Sequence, residues 1–309
     1  MPIDQSRFQK YNPLGFIARQ VVEGFITGLH KSPFHGFSVE FAEHRQYNTG
    51  ESTKHIDWKL YARTDKLFVK RFEEETNLRC RFVLDNSASM YFPLKENISL
   101  ENPNKITFSV YAIACLMYLL KKQRDAVGLS VFADEVGLLT PARSSEAHHE
   151  YLLTLLENYL SGIYPATRSA THAARSLHLI AENTHKRSLV VLFSDMFDSS
   201  ESDEALFSAL QHLKHNKHEV ILFHVMDKNL EADFEFENRP YRFIDLESHE
   251  ELKINPRLVR DEYVKGITGF NKELKLRCAG YHIDFVEADI NRGFDQILLP
   301  FLIKRQKMN

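Results

Sequence analysis

The stretch RFVLDNSASMYF, residues 81–92, decides how this chain is read. An apolar run ends in a carboxylate, Asp85, and two hydroxyls follow at alternate positions, Ser87 and Ser89. The run has the length and continuity of a strand buried on both faces, as in a parallel sheet. Ligands of open parallel sheets bind beyond the carboxyl ends of the strands, and Asp85 stands at such an end. Asp195, in RSLVVLFSDMFDS (187–199), closes a second apolar run in the same way. Two carboxylates from strand ends, joined by short hydroxyl side chains, form a hard-oxygen cluster suited to Mg²⁺. The plainer reading is that Asp, Asn and Ser form turns by bonding to their own backbone. Thr171, in PATRSATHAARSLHLIAE (165–182), opens an amphipathic helix between the two aspartates, and helix capping is its plainer role.

Outward from these sites the chain alternates. Strand-like runs fall at 81–84, 127–132, 189–194, 220–225 and 282–286. Helical patterns fall at 104–122, 146–160, 172–184, 202–216, 256–277 and 294–305. Strand then helix, repeated, predicts an α/β domain with a doubly wound, mainly parallel sheet over residues 79–309. The strands at 81–84 and 189–194 should be neighbours. DFEFENRPYRFID (233–245) reads as an inserted hairpin around 238–240. Residues 1–78 show little sustained period and read as an appended β-rich segment packed on the main domain.

Composition narrows the function. In 309 residues, 39 basic and 42 acidic side chains nearly cancel, at a formal charge of −3, which gives no pull toward nucleic acid or an anionic membrane. Three widely spaced cysteines read as reduced thiols, not a disulfide framework or a zinc site. The longest apolar stretch, VYAIACLMYLL (110–120), is shorter than the roughly 20 residues that span a bilayer, and no leader pattern opens the sequence. A cytoplasmic protein is expected. No phosphate-binding glycine loop occurs. His212, His215 and His218 spread too far around a helix to share one ion, and they and His148–His149 read as surface residues. Glu73–Glu75 reads as a solvated face.

The ordered set Asp85, Ser87, Ser89, Thr171, Asp195 resembles the metal-ion-dependent adhesion site of von Willebrand factor A domains. The resemblance implies a bound Mg²⁺ or similar divalent ion, contacted by the serines directly and by the other three directly or through water. It also implies one open coordination position that a partner's Glu or Asp completes. The stretch GFSVEFAEHRQYNTGESTKHIDWKLYARTDKLFVKRFEEE (36–75) is similar to the signature of the bacterial domain of unknown function 58 family. Glu40, Phe41, Arg45, Tyr47, Gly50, Glu51, Ile56, Asp57, Trp58, Ala62, Arg63, Leu67, Val69 and Lys70 carry the match, and 243–289 resembles the family's C-terminal part. The transmembrane helices of many relatives are missing from the sequence. Arg45, Tyr47, Asp57, Trp58 and Arg63 would serve either as buried ties to the main domain or as a docking surface. The resemblance implies a non-enzymatic, metal-dependent adaptor or co-chaperone. Its partners would be a MoxR-type AAA+ ATPase and a protein client supplying the acidic residue. The competing reading is a Mg²⁺-dependent phosphatase-like hydrolase with Asp85 as nucleophile, although Ser87 stands where such enzymes carry a second aspartate.

Overall fold

The computed structural model describes residues 13–30, 44–46, 58–70, 78–160, 173–197, 203–245 and 250–308. In chain order the elements are α1 (Pro13–His30), β1 (His44–Gln46), α2 (Trp58–Thr64), β2 (Phe68–Lys70), β3 (Arg79–Asp85), α3 (Lys105–Lys122), β4 (Ala126–Phe132) and β5 (Val136–Leu139). Then come α4 (Glu146–Leu160), α5 (Ala173–Asn183), β6 (Leu189–Ser194), α6 (Asp203–His215), β7 (Glu219–Met226), β8 (Tyr241–Ile244), β9 (Glu251–Ile254), α7 (Pro256–Gly280), β10 (Asp284–Asp289) and α8 (Asp295–Met308).

The central sheet has six strands in the order β10-β7-β6-β3-β4-β5. All neighbours pair in parallel except β5, which runs antiparallel on the β4 edge. From β3 the chain moves one way to β4 and later the other way to β6. The strand order therefore reverses at β3/β6, the point where doubly wound sheets open a crevice. This is the doubly wound, mainly parallel α/β fold expected from the sequence, with β3 and β6 adjacent.

Both faces are covered. Phe82, Leu84, Val191 and Phe193 face a core shared with α1, α3, α4 and α8, while Val83, Val190 and Leu192 face α5, α6 and α7. Two-sided burial explains why the strands read as continuous apolar runs. The run 110–120 is likewise a buried helix, because α1 and α4 cover the side of α3 turned away from the sheet. All three cysteines are buried free thiols. Among the described residues no helix is long and apolar enough to cross a membrane.

Several expectations are corrected. Residues 13–30 form a helix whose Leu14, Ala18 and Val22 enter the main core. Among the described residues before 78, strand is confined to the short β1–β2 pair. The hairpin near 233–245 is displaced: a π-helical turn covers Lys228–Ala232, and β8 pairs with β9 beyond residue 250. The last central strand starts two residues later than expected, at Asp284. His148, His149 and His218 are buried. α6 ends at His215, and Lys217 takes a left-handed turn at φ 60°, so His218 leaves the helix and its Nδ1 accepts from Ser188 N at 3.2 Å. α4 packs its first turn on β4, where the His148 ring nitrogen Nε2 lies 3.1 Å from Val127 O.

The C-terminal helix is fastened by a buried ion pair, Arg305 Nη2 to Asp125 Oδ2 at 2.6 Å, with Arg305 Nε donating to Gln123 Oε1. Asp125 is fully buried, so removing its partner strands a charge. Arg305→Ala should cost about 3–5 kcal/mol in urea unfolding. Asp125→Asn combined with Arg305→Met should recover most of that loss.

Candidate metal centre

Asp85 is the last residue of β3 and organises the loop that follows. Its Oδ1 accepts from Ser87 N at 2.9 Å, so the turn-forming reading of this motif holds as well. Its Oδ2 accepts from Ser194 Oγ at 2.6 Å, which joins the β3 and β6 ends directly. Ser194 Oγ in turn accepts from Met196 N at 2.8 Å. Asn86 N donates to Phe132 O at 2.7 Å and pins the loop to β4. Met90 is buried in the core and anchors the far side. Held this way, the hydroxyl oxygens of Ser87 and Ser89 stand 3.0 Å apart.

Asp195 follows β6. Met196 turns through the left-handed region at φ 56°, which bends the chain so that Phe197 N donates to Asp195 Oδ1 at 3.2 Å. The other oxygen, Oδ2, accepts from Lys105 Nζ at 2.8 Å. Lys105 opens α3, behind the N-cap Asn104, whose side chain accepts from Thr107 N. The same ammonium donates to Glu231 Oε1 at 2.5 Å, and Glu231 Oε2 accepts from Asp227 N at 2.7 Å. His224 Nε2 donates to Asp195 O at 2.9 Å from β7.

The electrostatics follow from burial. Asp85 and Asp195 are 1% and 0% exposed. Burial, and then the Asp195 charge, push the Asp85 carboxyl up to about 7, against the pull of the Ser194 and Ser87 hydrogen bonds. Burial drives His224 down to about 4, so its imidazole is neutral near pH 7. Burial works against the Lys105 ammonium, but Asp195 and Glu231 outweigh it and hold the amine above its usual value. Glu231 is raised by burial, with Lys105 opposing. Among the described residues no cationic side chain pairs with Asp85.

These residues fit a small divalent cation. The 3.0 Å between the two hydroxyls matches the edge of an octahedron whose ligands lie about 2.0–2.1 Å from the ion. A buried carboxylate with no cation of its own stands beside them. Asp195 already holds the Lys105 ammonium, a cation that repels a second one, which suits contact through water. Thr171 lies outside the described residues, as do Tyr47, Asp57 and Glu73–Glu75. Arg45 lies in β1 and Trp58 begins α2. Arg63, on α2, is exposed and so is not a buried tie. Ser194, Lys105, Glu231 and His224 were not singled out by the sequence. Lys105 alone left a signal, because a cation just after an N-cap opposes the helix dipole and needs another reason to be there.

The family described as "Protein of unknown function DUF58" matches residues 43–272. The uncharacterized protein Rv1480 of Mycobacterium tuberculosis is 25% identical over 140 residues, 45% of this chain and 42% of that protein. The uncharacterized protein Mb1516 of Mycobacterium bovis matches to the same extent. The chain thus spans under half the length of these relatives. Among solved structures, the conserved hypothetical protein BatB from Bacteroides thetaiotaomicron aligns at a TM-score of 0.45 and 13% identity, over 75% of this chain and all of that one. The SpRpn10 VWA domain aligns at 0.34 and 15% identity, over 48% and 76%.

An acid whose folded-state pKa is raised stabilises the fold below its unfolded value and loses that contribution as pH rises through the folded value. For Asp85 the window runs from the ordinary carboxylate range, near 3.8, to about 7. Asp85→Asn removes the cost of ionisation while keeping an acceptor for Ser87 N. In chelator, the stability advantage of Asp85→Asn over the parent should grow by about 1 kcal/mol between pH 6 and pH 8. Thermal or urea unfolding at the two pH values measures it, and an equal effect at both would contradict a raised Asp85.

Proposed function

The chain belongs to the DUF58 family, and from that premise we propose that it is a non-enzymatic protein-interaction module whose docking centre is a divalent-cation site. Asp85, Ser87 and Ser89 would hold the ion, with Thr171 and with Asp195 through water. The observation that carries this reading is the convergence of Asp85, the 3.0 Å pair of serine hydroxyls and Asp195 at the strand-order reversal. Mg²⁺ at this position would supply a net positive charge and an exchangeable coordination position. This chain's own residues shield that position. The carboxylates are buried and the β3 and β6 loops are tied together through Ser194. A partner's Glu or Asp would complete the coordination as a charge-assisted contact in a crevice of low water access.

The implied partner is a MoxR-type AAA+ ATPase, with this protein as adaptor or co-chaperone toward a client that presents the acidic side chain. The hydrolase reading meets an obstacle at Ser87, which stands where that chemistry needs a general acid.

Titration of the ATPase into this protein should show binding with Mg²⁺, weaker binding with Ca²⁺ and roughly tenfold or greater loss with chelator or with Asp85→Ala. Equal affinity under all conditions would mean that the partner docks elsewhere.

A further inference from the structure

Lys105 is fully buried, and its ammonium stands between two carboxylates. It lies 2.8 Å from Asp195 Oδ2 and 2.5 Å from Glu231 Oε1. Its charge also faces two rings, with Phe92 and Phe197 centroids 5.7 Å and 5.9 Å away. Phe92 follows the β3 loop and Phe197 the β6 loop, so both loops that carry site residues close over one amine. Glu231 comes from the π-helical turn after β7 and is oriented by Asp227 N.

We propose that Lys105 is a built-in cation of this site. It pairs with both Asp195 and Glu231, confines the exchangeable ion to the side of Asp85, Ser87 and Ser89, and sets the preference for Mg²⁺ over Ca²⁺. The inference rests on the reading of these residues as a metal centre. Its physical basis is ligand number. Mg²⁺ keeps several waters and needs only one or two carboxylates, whereas Ca²⁺ takes six to eight oxygens and gains from additional carboxylates. With Lys105 in place, two of the three neighbouring carboxylates are already paired, and a diffusible ion meets Asp85, hydroxyls and water. Without the amine, Asp195 and Glu231 are released, and the pocket becomes a three-carboxylate site that suits Ca²⁺.

The test is calorimetric titration of Mg²⁺ and Ca²⁺ into the parent protein, Lys105→Met, Lys105→Met/Glu231→Gln and Glu231→Gln, with circular dichroism to verify folding. Lys105→Met should raise the affinity for both ions, since an opposing charge is removed, and should raise Ca²⁺ over Mg²⁺ by roughly tenfold or more, because the freed Asp195 and Glu231 carboxylates add ligands that Ca²⁺ uses and Mg²⁺ does not need. Adding Glu231→Gln should cancel most of that gain. Glu231→Gln alone should weaken both ions, because the lysine charge is then less offset. That variant keeps the Lys105–Asp195 pair, so it decides the matter if Lys105→Met does not fold. An unchanged Ca²⁺/Mg²⁺ ratio in folded Lys105→Met, or unchanged affinities in Glu231→Gln, would overturn the role of Lys105 and leave the metal centre standing. A parent protein that binds no Mg²⁺ would overturn the metal centre. In that case Ca²⁺ binding gained by Lys105→Met would still support the built-in cation. Absence of binding in every variant would overturn both.

Discussion

Two carboxylates, Asp85 and Asp195, are buried at neighbouring strand ends, and everything near them manages that charge. An unpaired buried carboxylate is costly, so each is compensated differently. Asp195 has Lys105, a backbone amide and, behind its carbonyl, a neutral His224. Asp85 has hydrogen bonds alone and relieves the cost by holding its proton up to about pH 7. The asymmetry gives the site its character: one carboxylate is balanced by a buried amine, and the other has only hydrogen bonds and its own proton.

The fold supplies this arrangement through packing on both faces of the sheet. The strand-order reversal at β3/β6 brings the two strand ends together, and Ser194 couples them through one 2.6 Å hydrogen bond. α3 delivers Lys105 from its first turn while most of its remaining length is buried between the sheet and the α1 and α4 helices. The lysine is therefore held by a helix that has little freedom to shift. The turn after β7 brings Glu231 from the other side, which ties the β3/β6 strand ends to the segment that leads into β8, β9 and α7.

Much of this was legible in the sequence, for reasons that differ by element. The parallel strands were readable because two-sided burial forces continuous apolar runs. β5 was not, because it is a short edge strand whose residues are only half buried. α1 buries Leu14, Ala18 and Val22 at four-residue spacing, but a small alanine among glycines gives a weak pattern. The aspartates and serines were readable as a spaced set. Glu231 was not, since its role depends on a long-range contact 126 residues from Lys105. Of the histidines near 215, His218 was misread because the helix ends before it, while His215 is exposed as expected.

The most direct measurement of the central claim is anomalous diffraction from crystals of the protein soaked in Mn²⁺, an octahedral, oxygen-seeking stand-in for Mg²⁺. The account predicts one peak within coordination distance of Ser87 Oγ and Ser89 Oγ, beside Asp85, with Lys105 still bridging Asp195 and Glu231. A peak elsewhere on the molecule, or ordered crystals at millimolar Mn²⁺ with no density at these serines, would contradict it.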